Sequence, residues 1–225
     1  MLAAIAFCPQ PPLLVPRLAA GAAPELDGLR AACRTARDRL LAAADRVVVL
    51  GPGPSTVRYA PGSSGTLAGY GVPVAAALGG IGRPPWTLPP SLTLGAWLLD
   101  SAPASGVAVA PDADPAGVAA VLAGDDRLGL LVMGDGSARR SEQAPGYVDA
   151  RAAGFDAGVA VALRAGDAAA LRDLDAVLGA ELLAAGVPVW RVAGHVAAGS
   201  AIDAELLHEA APYGVGYFVA TWTAR

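Results

Sequence analysis

The sequence contains no lysine and no asparagine, and all 16 cationic side chains in its 225 residues are arginines. Without lysine there is no amine to clasp a nucleotide phosphate in a P-loop, to form a Schiff base or to serve a lysine-dependent kinase site. Cysteine is almost missing too. Cys8 and Cys33 stand too far apart for a C-x-x-C redox or zinc pair, and one bridge would not make a disulfide scaffold. A reducing cytoplasm is the expected location. Aromatic residues are few, with three Phe, five Tyr and four Trp, so the core is expected to pack from small and aliphatic side chains. Isoleucine is scarce as well, the pattern a GC-rich coding bias would produce, and a rare residue type is therefore no functional signal by itself.

Charge of one sign is never concentrated. The net charge is −4 and the arginines are scattered, which leaves no basic stripe to neutralise a phosphate backbone and argues against a nucleic-acid partner. Unbroken apolar runs of membrane-spanning length are also lacking. Tyr59 to Gly82 and Pro84 to Leu99 carry no formal charge, but Pro, Gly, Ser and Thr interrupt both, whereas a spanning helix needs ~20 mostly apolar residues. Met1 to Cys8 has no basic flank and runs straight into Pro9, Pro11 and Pro12. It reads as a first strand and its exit loop, not as a signal peptide.

What is present is an alternation of strand and helix signals. Leu2 to Phe7 reads as a buried strand. Leu26, Leu29, Cys33, Ala36, Leu40 and Ala43 form a helical stripe, with Arg30, Arg34, Arg37 and Asp38 on its wet face. Arg46 to Leu50 reads as a second strand, stopped by Gly51-Pro52-Gly53-Pro54. Further strands are expected at Val72 to Ala77, Gly106 to Ala110, Arg127 to Met133 and Gly214 to Trp222. Helices are expected at Leu92 to Leu99, after an Asp114 cap with Pro115 in the first position, around Phe155, Val159 and Leu163, and from Asp167 through Leu182 with Gly186 as its C-terminal cap. The fold class that follows is α/β, a three-layer α/β/α arrangement with a mostly parallel central sheet, formed by one domain over residues 1–225. Leu2 to Phe7, Arg46 to Leu50 and Arg127 to Met133 are its expected central neighbours.

In such a sheet, ligands sit beyond the carboxyl ends of the strands. That edge would collect Gln10, Ser55, Thr56, Asp135, Ser137, Arg139 and Arg140, with the arginines suited to grip a carboxylate. Turn-making Gly and Pro explain the same segments without any ligand. The sequence argues against a dinucleotide site, because Thr56 stands where G-x-G-x-x-G needs glycine and Pro52 and Pro54 have no N–H for a phosphate. Ser137 lies in G-D-G-S, not in G-x-S-x-G, and reads as a turn serine although His195 and several Asp could complete a triad. The histidines, His195 and His208, are candidate metal ligands with Glu205 or Glu209. Glu205 and His208 at i, i+3 would share one helical face, as in carboxylate metal sites, and a solvated face explains them equally well.

Three segments together resemble a known family. They are Ala6-Phe7-Cys8-Pro9-Gln10-Pro11-Pro12-Leu13-Leu14-Val15-Pro16, Gly134-Asp135-Gly136-Ser137-Ala138-Arg139-Arg140, and Ala211-Pro212-Tyr213-Gly214-Val215-Gly216-Tyr217-Phe218-Val219-Ala220-Thr221-Trp222. They are similar to the class III extradiol ring-cleavage dioxygenases, and more closely to proteins of GC-rich bacteria that are named for their likeness to the B-type subunit of those enzymes. The resemblance implies a non-haem Fe(II) held by two His and a carboxylate in catalytic members, with a further His as acid/base. By position the first metal His falls at Gln10, the second in the Gly51 to Thr56 loop, which has none, and the acid/base His near Arg140. Glu209 is the carboxylate on offer. An amide is a poor substitute for imidazole on Fe(II), and an arginine does not shuttle a proton.

Two functional readings follow. One is a non-catalytic binding or assembly subunit that needs no cofactor. The other is an enzyme that reuses the crevice: a ring-cleaving dioxygenase with a rearranged Fe(II) site, or a metal-independent enzyme acting on a carboxylate-bearing molecule. The expected partner is an anionic or aromatic small molecule, in a chain free to form homo- or hetero-oligomers.

Overall fold

The computed structural model describes residues 1–225. Chain order is β1 (Leu2–Cys8), α1 (Pro16–Ala19), α2 (Asp27–Ala43), β2 (Arg46–Pro52), β3 (Val57–Tyr59), β4 (Ser64–Thr66), β5 (Ala75–Ala77), α3 (Pro90–Leu99), β6 (Ser105–Val109), α4 (Pro115–Ala120), β7 (Leu128–Met133), α5 (Arg151–Ala165), α6 (Ala168–Arg172), α7 (Ala176–Glu181), α8 (Val187–Ala197), β8 (Ile202–Ala210) and β9 (Tyr217–Ala224). Seven strands form one sheet in the order β3-β6-β2-β7-β1-β9-β8. The four in the middle, β6, β2, β7 and β1, are parallel, and antiparallel β3, β9 and β8 flank them. β7 lies between β2 and β1, so the three expected central neighbours are neighbours. Every residue of β7 is buried, as a strand covered on both faces requires.

Strand alternation sends successive side chains to opposite faces. Ala4, Ala6 and Cys8 of β1 pack with Leu29, Cys33 and Leu40 of α2 and Leu92 of α3. Ile5 and Phe7 pack instead with Val159 and Leu163 of α5, Trp190 of α8, and Trp222 of β9. Phe7 meets Trp222 edge to face at 5.0 Å, and the Trp222 indole donates to the Leu163 carbonyl at 2.7 Å. The molecule is therefore a mixed α/β fold whose largely parallel sheet is flanked by helices on both faces. No helix is long and apolar enough to cross a membrane.

Several local readings are corrected. Asp167 to Leu182 is not one helix, because Asp175 caps a new one by accepting from the Val177 and Leu178 N–H groups at 2.9 Å. Gly186 opens α8 at φ −75° and does not close the helix before it; α8 itself carries no start signal beyond Pro188. Val72 to Ala77 yields only β5, paired with β4 in a separate two-stranded sheet. Glu205 to His208 lies in β8, a strand and not a helix. Arg30, expected on the wet face of α2, is 5% exposed. Its guanidinium reaches the Leu13 and Ala23 carbonyls and the Asp27 carboxylate, binding the irregular segment between β1 and α2 to the helix.

The helices approach the sheet closely where the sequence has no side chain. A Cβ added at Gly95 of α3 would stand 2.4 Å from Val49 Cγ1 of β2. Gly95→Ala should overpack this contact and cost about 1–3 kcal/mol. Urea unfolding should register it as a lower midpoint with an unchanged slope.

Candidate functional site at the strand ends

The four parallel strands deliver their carboxyl ends to one edge, and antiparallel β9 begins there. The connections leaving β1 and β2 cross the α2/α3 face, whereas β7 hands over to α5 on the other face. Exit loops therefore diverge around the end of β7, the situation that opens a crevice in such sheets. The three segments that carry the family resemblance converge at this point. The Gly134 N–H donates to the Cys8 carbonyl at 2.9 Å, and the Gln10 N–H donates to Asp135 Oδ1 at 2.7 Å. The Gly136 N–H donates to the Gly216 carbonyl at 2.7 Å, the Gly216 N–H to the Ser137 carbonyl at 2.9 Å, and the Arg140 N–H to the Gly214 carbonyl at 3.0 Å.

Asp135 has no cationic partner. Burial pushes its carboxyl up to about 7, against the smaller lowering effect of the Gln10 N–H bond. Burial also raises the Tyr217 phenol, and the nearby Asp135 adds to the rise. The Gln10 side chain leaves its Oε1 buried with no donor. The edge thus presents an unfilled acceptor, a carboxyl poised near neutrality and a phenol held in its protonated form.

A different carboxylate holds this edge together. Asp156 of α5 is 1% exposed and accepts from the Ser137 N–H and hydroxyl, both at 2.8 Å, and from Arg140 Nη1 at 3.1 Å. Ser137 is fully buried, so it is a bracing residue and does not face the crevice. Arg140 gives one Nη1 bond to Asp156, so it braces the edge through Asp156 and not through Asp135. The Arg139 Nε is buried without an acceptor. Ser55 is exposed, and Thr56 accepts the Ala110 N–H at 3.1 Å, stitching the exit of β2 to that of β6.

The remaining histidine candidates do not assemble. His195 closes α8 beside Met1, Leu2 and Leu128, at the opposite edge of the sheet. His208 and Glu209 are adjacent in β8 and so point to opposite faces, and Glu209 is paired with Arg164 at 3.1 Å. Desolvation lowers the His208 imidazole. No three His, Cys, Asp or Glu side chains stand close enough to share a metal ion. An amide and one carboxyl without imidazole are not a donor set for Fe(II), so the residues present do not fit the iron site that the resemblance implies. Cys8 and Cys33 are buried free thiols.

Sequence reasoning missed Asp156 and Tyr217. Asp156 has a readable signal, since it falls on the apolar stripe of Ala152, Val159 and Leu163, where a carboxylate must find partners. Tyr217 has none, being one of several aromatics in a strand.

No family model matches the sequence, and no curated protein matches it. A solved structure does match. The crystal structure of the uncharacterized protein JW3007 from Escherichia coli K12 is similar with a TM-score of 0.52 at 13% identity, covering 99% of this chain and 100% of the other. At that identity the likeness speaks for the fold alone.

Removing Asp156 would strand two buried Ser137 donors and the Arg140 charge, so Asp156→Ala should cost about 3–5 kcal/mol. Arg140→Ala leaves Asp156 its Ser137 bonds and should cost about 1–3 kcal/mol by denaturant titration.

Asp135 acts on stability in the sense opposite to most carboxylates. The folded state keeps its proton up to about 7, while the ordinary value is 3.8. Between these values the unfolded chain binds fewer protons, so the stability is complete below the ordinary value and lost as pH rises towards neutrality. Asp135→Asn keeps an acceptor for the Gln10 N–H and carries no charge. Thermal melts should show wild type losing ground to Asp135→Asn between about pH 4 and 7, with a constant gap above.

Proposed function

We propose that this chain is a class III extradiol dioxygenase-like protein, related to the B-type subunit of those enzymes. It has given up the iron site and kept the strand-end crevice to bind a small hydroxylated aromatic molecule, as a non-catalytic binding subunit. The observation that carries this reading is Gln10. It occupies the position where the resemblance expects the first metal histidine, and its buried Oε1 has no donor. A ligand hydroxyl would supply one, and the nearby Tyr217 and Asp135, both raised by burial, suit a neutral phenol. Of the two expected ligand classes, the aromatic one is favoured, because a carboxyl and not a cation lies against Gln10.

A second reading rests on Asp135. A half-buried carboxyl with a value of about 7 and no cation beside it is matched to acid/base work near neutral pH. It supports the metal-independent enzyme, in which Asp135 would take a proton from a bound hydroxyl.

The test is titration with catechol in air, with and without added Fe(II), followed by calorimetry and by oxygen uptake. The expected result is saturable binding without oxygen uptake. Gln10→Leu should weaken binding about three- to tenfold, the worth of one hydrogen bond of ~0.5–1.5 kcal/mol. Oxygen consumption with a ring-opened yellow product would overturn the non-catalytic reading. Absence of catechol binding would overturn the phenol site. Proton transfer on catechol binding, read as a dependence of the calorimetric heat on the buffer's ionisation enthalpy and absent in Asp135→Asn, would favour the second reading.

A further inference from the structure

We propose a second binding site, at the same end of the sheet but lined by neither Gln10 nor Asp135, that takes a small apolar molecule carrying a carboxylate. A cavity of about 330 Å3 lies between α4, α7 and α8, at the ends of β2 and β6. Its size falls at the lower end of the ~300–1,000 Å3 typical of ligand pockets. Pro52, Pro111 and Pro188 line it, and none of the three has an N–H to offer a polar ligand atom. Ala180 and Leu183 of the α7 segment contribute apolar wall. Leu183 is held at φ 55°, a left-handed conformation unfavourable for leucine and of the kind that recurs at ligand sites.

Arg191 is the one charged residue in the lining. Its Nε donates to the Arg172 carbonyl at 3.2 Å, and its Nη groups have neither a hydrogen-bond partner nor a carboxylate. The neighbouring Asp173 makes no direct contact with it, because Arg172 holds both Asp173 oxygens at 2.8 Å. A largely apolar wall rich in proline, beside a guanidinium whose Nη groups are unpaired, complements an apolar body ending in a carboxylate. A polar body would lose its water without recovering hydrogen bonds. A charge-assisted pair to Arg191 supplies the selectivity.

The probes are octanoate and, as its neutral counterpart, 1-octanol, titrated calorimetrically into wild type and three variants whose folding is verified by thermal melting. Wild type should bind octanoate at one site about tenfold more tightly than octanol. Arg191→Met should bring octanoate down to the level of octanol. Ala180→Phe, which starts from an exposed position on α7, should fill the cavity and block both, and it carries the test should Arg191→Met not fold. Gln10→Leu should leave octanoate binding unchanged, which separates this site from the crevice. The proposal fails if wild type does not bind octanoate, binds the two probes equally, or binds unchanged in either cavity variant. It fails equally if Gln10→Leu weakens octanoate binding.

Discussion

Asp156 reaches from α5 into the turn that follows β7, and the arrangement of the whole strand-end edge depends on the three donors that meet there. A buried carboxylate is tolerable only when its oxygens are saturated, and here the Ser137 N–H, the Ser137 hydroxyl and Arg140 do this. The glycines around it are part of the same constraint. A Cβ at Gly136 would stand 2.8 Å from Asp156 Oδ1, and one at Gly216 would stand 2.5 Å from Oδ2. With no side chains there, the β7 exit and the segment before β9 exchange two backbone hydrogen bonds directly. The carboxylate, the serine and the two glycines therefore act as one unit, and its product is the fixed position of Asp135 immediately before it.

The electrostatics of the crevice follow from this use of charge. Arg140 pairs with Asp156, and no cation pairs with Asp135. Left with one backbone N–H, Asp135 responds to burial by holding its proton. Tyr217 lies in the same low-dielectric space and is raised for the same reason, with the developing charge on Asp135 adding repulsion. The same burial thus pushes both acids towards their neutral forms.

The layered architecture is legible in the sequence because it rests on local periodicity with large apolar content. Leu128 to Met133 is apolar at every position but Gly129, and only a strand covered on both faces uses such a run. The elements that sequence reasoning misreads depend on competition between local signals. The Asp167 to Leu182 stripe continues in phase through Leu174, and only the capping ability of Asp175 breaks it; a cap and a solvent-facing helical Asp look alike in sequence. Gly186 precedes a helix with Pro188 in its first turn, yet a glycine after a leucine-rich stretch reads equally as a terminator. β8 is hidden because a bulge between Leu206 and His208 interrupts its alternation, leaving Glu205 and His208 at a spacing that imitates a helix. The strand-end rule brings Gln10 and Asp135 to one edge, and there the two residues meet. It does not give the inward turn of Arg140, whose partner comes from a helix 16 residues further along the chain.

Position 10 separates what the fold needs from what the chemistry needs. Its contribution to the edge is made by its backbone N–H on Asp135, a bond that any residue other than proline can make. The side chain is therefore not required for the loop to close, and a change there alters the chemistry of the crevice without releasing the contact between the β1 and β7 exits. The same holds in reverse for Asp156 and Ser137, whose side chains are fully engaged in the brace and have nothing left to offer a ligand. Chemistry can drift at Gln10 and in the loop after β2 while the brace persists. The fold of the edge and the chemistry of its free side chains are thus set by different atoms, the first by the brace and the backbone bonds, the second by the few side chains that the exit loops leave unbonded.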